Sequence, residues 1–279
     1  MIGVPREVGA ALALAARRLG GDYQEDEWGF DEGFAEAVEP ILRFLYERWW
    51  RVTAVGAERL TSHGPALLVA NHAGVLPYDA LMMATALLKE HPLPRHARFL
   101  VLDRAFELPW ASVAARKLGG VPASPANALR LLEQGHLVMV FPEGVKGIGK
   151  PFRERYRVGR FGRGGFAEVA LRAQVPVIPC AVVGSEEIHP KLGDLPVLPR
   201  LLGAPYIPIT PTFPWLGPLG FVPLPSRWRI EFGKPLDLSS YGPEQADDRA
   251  VALEIAELAQ QRVQELVLDN LVARNGAFR

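Results

Sequence analysis

From residue 65 onward, short uninterrupted apolar runs alternate with longer amphipathic stretches, and this alternation restricts the fold more than any other feature of the chain. The runs Ala66 to Ala70, Arg98 to Leu102, Leu137 to Phe141, Val177 to Val183 and Trp228 to Phe232 have the length and texture of buried strands. Between them, helical patterns occupy Tyr78 to Lys89, Pro109 to Leu118, Pro125 to Gln134 and Gly165 to Ala173. Strand and helix in alternation predict an α/β fold, a mostly parallel sheet covered by helices on both faces. Ser124 before Pro125 supplies a helix start, because the hydroxyl can cap a free N–H and proline needs none at the first helical position. A final helix is expected from Pro243 to about Ala273, where Val251, Ile255, Leu258, Val263, Leu266 and Leu271 keep an apolar stripe.

Ahead of this region, Phe34, Val38, Ile41, Leu42, Leu45 and Trp49 fall at helical spacing behind a cap at Asp31. The helix runs into Tyr46-Glu47-Arg48-Trp49-Trp50-Arg51, a mixture of rings and cations that suits a water–lipid boundary and equally suits a helix packed on the core. The expected division is a helical, membrane-interface extension over residues 1–59 and an α/β domain with its C-terminal helix over residues 60–279. The apolar stretch Val8 to Ala16 is too short to cross a bilayer, which takes about 20 apolar residues. The uncharged run Leu201 to Ser226 contains seven prolines, so it cannot be a helix, and irregular backbone cannot face lipid with its polar groups unpaired. A peripheral, cytoplasmic location on a membrane surface is therefore the expectation.

Lysine and arginine number 31 and aspartate and glutamate 31, so no bulk field favours nucleic acid, and none is expected as a partner. Cys180 is the single cysteine, and the six histidines include no HExxH or comparable ligand spacing. No metal and no resident cofactor are expected.

The chemistry concentrates at two strand ends. His72 follows the run Ala66 to Ala70, and the carboxyl end of a strand is where open α/β sheets place ligands. Asp79 falls in the first turn of the next helix, within reach of His72. A carboxylate there also complements a helix N-terminus, and for an isolated pair that structural role would be favoured. The second strand end is Phe141-Pro142-Glu143-Gly144, after which seven basic residues, Lys146, Lys150, Arg153, Arg155, Arg157, Arg160 and Arg163, face one acid, Glu154. In a chain of zero net charge such a cluster implies an anionic partner, most simply a phosphate, with a solvated basic face as the alternative.

Taken together these motifs resemble the glycerolipid acyltransferases, the family of lysophosphatidate and glycerol-phosphate acyltransferases. Asn71, His72 and Asp79 match its Asn-His-acid motif. Phe141, Pro142, Glu143, Gly144 and Lys146 match its FPEG motif followed by a basic residue, and Val175 to Pro179 match its Val-Pro-Val-Ile-Pro strand. Each motif is short, and their order and intervals over roughly residues 60 to 235 carry the resemblance. It implies His72 as general base and Asp79 as its orienting partner. It also implies an acceptor site at Glu143, Gly144 and Lys146, and Asn71, Gly74, Phe141, Pro142, Lys150 and Arg153 complete the expected substrate-binding set. Acyl-CoA or acyl-carrier protein would donate the acyl group to a lipid alcohol.

Two features depart from the family pattern. Six residues rather than four separate His72 from Asp79, with Gly74 and Pro77 shaping the longer turn, and Ala123-Ser124 stand where the family often has an arginine after Gly-Gly. Phe213, Trp215, Leu216 and Phe221, in the proline-rich run, are candidates for an acyl groove or membrane contact. Gly184 to His189 closes a further strand at the same edge and stands as a secondary site.

Three rival readings compete with this one. Gly144 to Lys150 fits the outline GxxxxGK of a P-loop, but Pro151 replaces the magnesium-binding hydroxyl and removes an N–H. No GxSxG appears, which disfavours a serine hydrolase. A non-catalytic lipid-binding protein would use the same apolar loop and basic cluster, and His72 discriminates it from an enzyme.

Overall fold

The computed structural model describes residues 16–17, 24–74, 76, 78–102, 109–195, 207–274 and 276–277. Most of the segment Val8 to Ala16, Pro77 and residues 201–206 of the proline-rich run lie outside the described residues. In chain order, Glu32–Phe44 (α1) passes through a π-helical turn, Leu45–Trp49, into Thr53–Val55 (β1). Then come Ala66–Ala70 (β2), Tyr78–Glu90 (α2), Ala97–Val101 (β3), Pro109–Lys117 (α3), Gly120–Pro122 (β4) and Pro125–Glu133 (α4). They are followed by Leu137–Val140 (β5), Val145–Ile148 (α5), Gly165–Ala173 (α6) and Val177–Val183 (β6). Gly193–Asp194 (β7), Pro208–Ile209 (β8), Arg229–Phe232 (β9) and Arg249–Ala273 (α7) complete the order.

Seven strands form one sheet in the order β1-β9-β6-β2-β5-β3-β4. Strands β6, β2, β5, β3 and β4 run parallel, whereas β9 is antiparallel to β6 and carries β1 parallel to itself. The central strand β2 is buried at every position, the condition under which a strand reads as a continuous apolar run. Its alternate side chains feed two cores. Leu68 and Ala70 join Met82, Met83 and Trp50 on one face, while Leu67 and Val69 join Leu131, Val169 and Val263 on the other.

Both predicted caps are present. Asp31 accepts from the Phe34 N–H and Ser124 from the Asn127 N–H. Two expectations are corrected and one open alternative is decided. The sheet begins before residue 60, because Thr53 to Val55 pair in register with Arg229 to Glu231; three residues of β structure were too short to show a period. The final helix is broken at Asp248, whose extended backbone and side chain cap α7 after a separate 3-10 turn at Pro243–Asp247. Tyr46 and Trp50 do not meet a boundary: they are buried, with Trp50 stacked on Trp228 at 4.7 Å and edge-on to Tyr78 at 5.0 Å. Trp50 thereby packs against the first turn of α2, the turn that holds Asp79.

Candidate active site

Because β6, β2 and β5 are neighbours and parallel, the loops leaving their carboxyl ends open on one edge of the sheet. Those loops carry His72, Glu143 and the Ser185 to His189 turn. The longer turn does not separate His72 from Asp79. The imidazole Nδ1–H donates to Asp79 Oδ2 at 2.7 Å. Asp79 is fully buried and also accepts from the Ala73 N–H at 3.0 Å and the Ala80 N–H at 2.9 Å. Ala73 belongs to the loop and Ala80 to the first turn of α2, where the helix dipole favours an anion. Since Oδ2 can only accept, Nδ1 carries the proton and Nε2 presents a lone pair. The ring lies 4.7 Å from Phe141, which packs beside it at 32°.

Glu143 joins the two motifs. Its carboxylate accepts from the backbone N–H of His72 at 3.0 Å, from Lys150 Nζ at 3.0 Å and from the Gly159 N–H at 2.6 Å. Glycine is required beside it, because a Cβ at Gly147 would come within 2.8 Å of both Glu143 Cβ and His72 Cβ. Gly74, at φ +82°, brings the His72 loop against Ser185, whose carbonyl oxygen a Cβ would meet at 2.5 Å.

The Asn71 side chain, expected at the acceptor site, bridges β2 to β6. It is buried, donating to the Val182 carbonyl at 2.9 Å and accepting from the Val182 N–H at 2.8 Å. Glu143 and Lys150 are likewise engaged with each other, and Lys150 also donates to the Arg157 carbonyl at 2.8 Å. Pro142 is half-buried between Phe141 and Glu143, and Gly144 begins the short helix α5 with a left-side φ of +57°. Lys146, Arg157, Arg160 and Arg163 are exposed and have no ion-pair partner among the described residues, while Arg153 lies 3.7 Å from Glu154. These cations leave a positive surface beside the FPEG turn.

Sequence reasoning missed the C-terminal side of the site. Arg274 NH1 donates to Glu187 Oε2 at 2.9 Å, and the Tyr156 hydroxyl donates to the same carboxylate. Burial and Glu187 together push the Tyr156 hydroxyl up to about 12. Only the pairing of Glu187 with a residue 87 positions later reveals this contact, and no local pattern marks it.

The proline-rich segment lies against the Ser185 to His189 turn. Leu224 N–H donates to the Ile188 carbonyl at 2.9 Å, and Trp49 Nε1 donates to the Pro223 carbonyl at 2.9 Å. Phe213 and Phe221 pack ring to ring at 4.4 Å, while Trp215 is 74% exposed and Leu219 71%. On neighbouring α1, Ile41 and Phe44 are also exposed, and Phe44 lies 6.3 Å from Trp49. Among the described residues no helix is long and apolar enough to cross a membrane, and no group of three His, Cys, Asp or Glu side chains could hold a metal ion.

A family model described as Acyltransferase matches residues 51–183. An uncharacterized protein of Mycobacterium tuberculosis is 48% identical over 272 residues, covering 97% of this chain and 76% of that one. The Gallus gallus protein named DGAT1/2-independent enzyme synthesizing storage lipids is 26% identical over 221 residues, 77% of this chain and 63% of its own. The crystal structure of the 1-acyl-sn-glycerophosphate acyltransferase PlsC from Thermotoga maritima shares the fold, with a TM-score of 0.57 at 17% identity, covering 97% of this chain and 96% of that one.

Proposed function

Since this chain belongs to the acyltransferase family, we propose that it transfers a fatty acyl group from a thioester, acyl-CoA or acyl-carrier protein, to the hydroxyl of a glycerolipid or lysophospholipid. The observation that carries this reading is the 2.7 Å contact between His72 and Asp79, which leaves Nε2 as the base. In the proposed reaction Nε2 takes the acceptor's hydroxyl proton as the oxygen bonds to the thioester carbonyl carbon. The tetrahedral intermediate then expels the thiolate, breaking the C–S bond, and the imidazolium returns its proton to sulfur. Asp79 stabilises the imidazolium without taking its proton. An ester and a free thiol result, with no redox change and no metal in the step.

The exposed cations Lys146, Arg157, Arg160 and Arg163 would attract an anionic headgroup or the phosphates of the donor. Trp215, Leu216, Leu219 and Phe221 expose apolar side chains suited to the headgroup layer of a bilayer, as do Ile41 and Phe44 on α1, and would give peripheral attachment. The test is acyl transfer from labelled acyl-CoA to a panel of lysophosphatidate, glycerol phosphate, diacylglycerol and other lysolipids. His72→Ala is expected to abolish product while the fold and lipid association persist; undiminished product from that variant would reject the mechanism.

A further inference from the structure

A small polar pocket lies between the His72 loop, the FPEG turn and the Ser185 to His189 turn, and the acyl-transfer mechanism does not use it. Gly74, Gly147, Lys150, Arg155, Glu186 and His189 contribute to its wall. Glu186 and His189 are both more than nine-tenths buried. Glu186 Oε1 accepts from the Tyr156 N–H at 3.3 Å, whereas Oε2 is buried with no hydrogen-bond partner. His189 Nε2 lies 3.0 Å from the Phe221 carbonyl oxygen, which can only accept, so Nε2 holds the proton. That leaves Nδ1 as a bare acceptor, also buried and unpartnered.

The two unpartnered atoms are complementary. Burial pushes the Glu186 carboxyl above the ordinary carboxylate range, which favours the protonated form in which Oε2 donates, and burial lowers His189, which favours the neutral ring. The pocket's volume is about 10 Å³, enough for one water-sized group and far too small for a phosphate. Its lysines are committed elsewhere: Lys150 to Glu143, and Lys191 to the Gly149 carbonyl at 2.7 Å and Asp194 at 2.8 Å. Size therefore argues against an anion such as phosphate, and the two unpartnered atoms argue for a small group that accepts one hydrogen bond and donates another.

We propose that Glu186 and His189 form a hydroxyl-binding pocket behind the His72 loop, in which one hydroxyl oxygen accepts from Glu186 Oε2 and donates to His189 Nδ1. The hydroxyl belongs either to a bound water or to a second hydroxyl of the acceptor alcohol. The acceptor alternative rests on the acyl-transfer reading; the pocket itself does not. Because Gly74 leans on Ser185, an occupant here is coupled through one backbone contact to the loop that carries His72.

The test uses the full chain, crystallised alone and with an acceptor analogue that lacks the attacked hydroxyl but keeps the second one. One oxygen within hydrogen-bonding distance of both Glu186 Oε2 and His189 Nδ1 is expected. A water oxygen in both crystals assigns the site to solvent. A ligand hydroxyl in the second crystal assigns it to the acceptor, and KM for that acceptor should then rise about tenfold in Glu186→Leu and recover in Glu186→Gln. No oxygen at this position in either crystal would overturn the proposal. So would an infrared spectrum at neutral pH without a protonated carboxyl band that Glu186→Gln removes. Both structural readouts are independent of turnover, so inactivity toward every acceptor would count against the acyl-transfer reading alone.

Discussion

The Glu143 carboxylate holds the backbone N–H of His72 at 3.0 Å, so the second motif supports the first from beneath. The same carboxylate ties down Lys150 and the Gly159 N–H, and with them the start of the basic loop. Glu143→Ala would leave Lys150 half-buried without its counter-charge and three donors unpaired. Breaking such a pair costs about 3–5 kcal/mol, to be measured by denaturant unfolding. A loss within surface-mutation range would show that Glu143 does not organise this edge.

Asp79→Asn keeps the shape of the site but replaces an acceptor with an amide that can impose the wrong imidazole tautomer. Under the proposed mechanism kcat is expected to fall by roughly 10³–10⁴ with KM little changed. Steady-state kinetics on a variant shown to be folded by circular dichroism checks this. Activity near that of the parent would mean Asp79 serves only the helix start.

Gly147→Ala introduces a methyl group within 2.8 Å of carbon atoms of both Glu143 and His72. Neither neighbour is free to retreat, since Glu143 is held by three hydrogen bonds and His72 by Asp79. A destabilisation of about 1–3 kcal/mol is expected, together with a larger loss of activity than stability alone explains. Thermal unfolding and kcat measured on the same preparation separate the two.

Trp215 and Leu219 are too exposed for their removal to disturb the core. The double variant Trp215→Ser, Leu219→Ser should unfold within about 0.5 kcal/mol of the parent. Its binding to phospholipid vesicles should weaken at least about tenfold. Co-sedimentation with vesicles is the measurement, and unchanged binding would remove the apolar tip from the membrane contact.

Glu186 makes stability depend on pH in a specific direction. Its folded carboxyl titrates above the ordinary 4.5, because burial disfavours the charged form. Below 4.5 both states are protonated; above it the unfolded chain has released the proton and the folded chain has not. Folding then takes up a proton, so this contribution declines as pH rises, until the folded carboxyl also ionises. Glu186→Gln should abolish that slope, and the difference between parent and variant unfolding free energies across the pH range isolates it from other groups.

Much of the fold was legible because burial on both faces leaves a one-dimensional mark. Val177 to Val183 reads as a buried strand whatever surrounds it, and Ser124-Pro125 reads as a helix start because capping is local chemistry. The short strands were not legible: Thr53 to Val55 and Gly120 to Pro122 hold too few residues to show alternation, and pairing with a distant partner defines them. The destination of Tyr46 and Trp50 was open for the same reason, since a ring suits a boundary or a core until its neighbours are known.

At the site, the residue types and their placement at strand ends followed from the sequence alone, as did the resemblance that named His72 and Asp79. Only the tertiary structure decided which groups face each other. Asn71 turned inward to Val182, Glu143 and Lys150 were committed to one another, and Glu186 was set beside His189 in a pocket that no motif announces. The physical reason is that hydrogen-bond reach is about 3 Å, whereas these partners stand up to 111 residues apart along the chain. Local propensity acts over a few residues, and the order of strands in the sheet determines the rest.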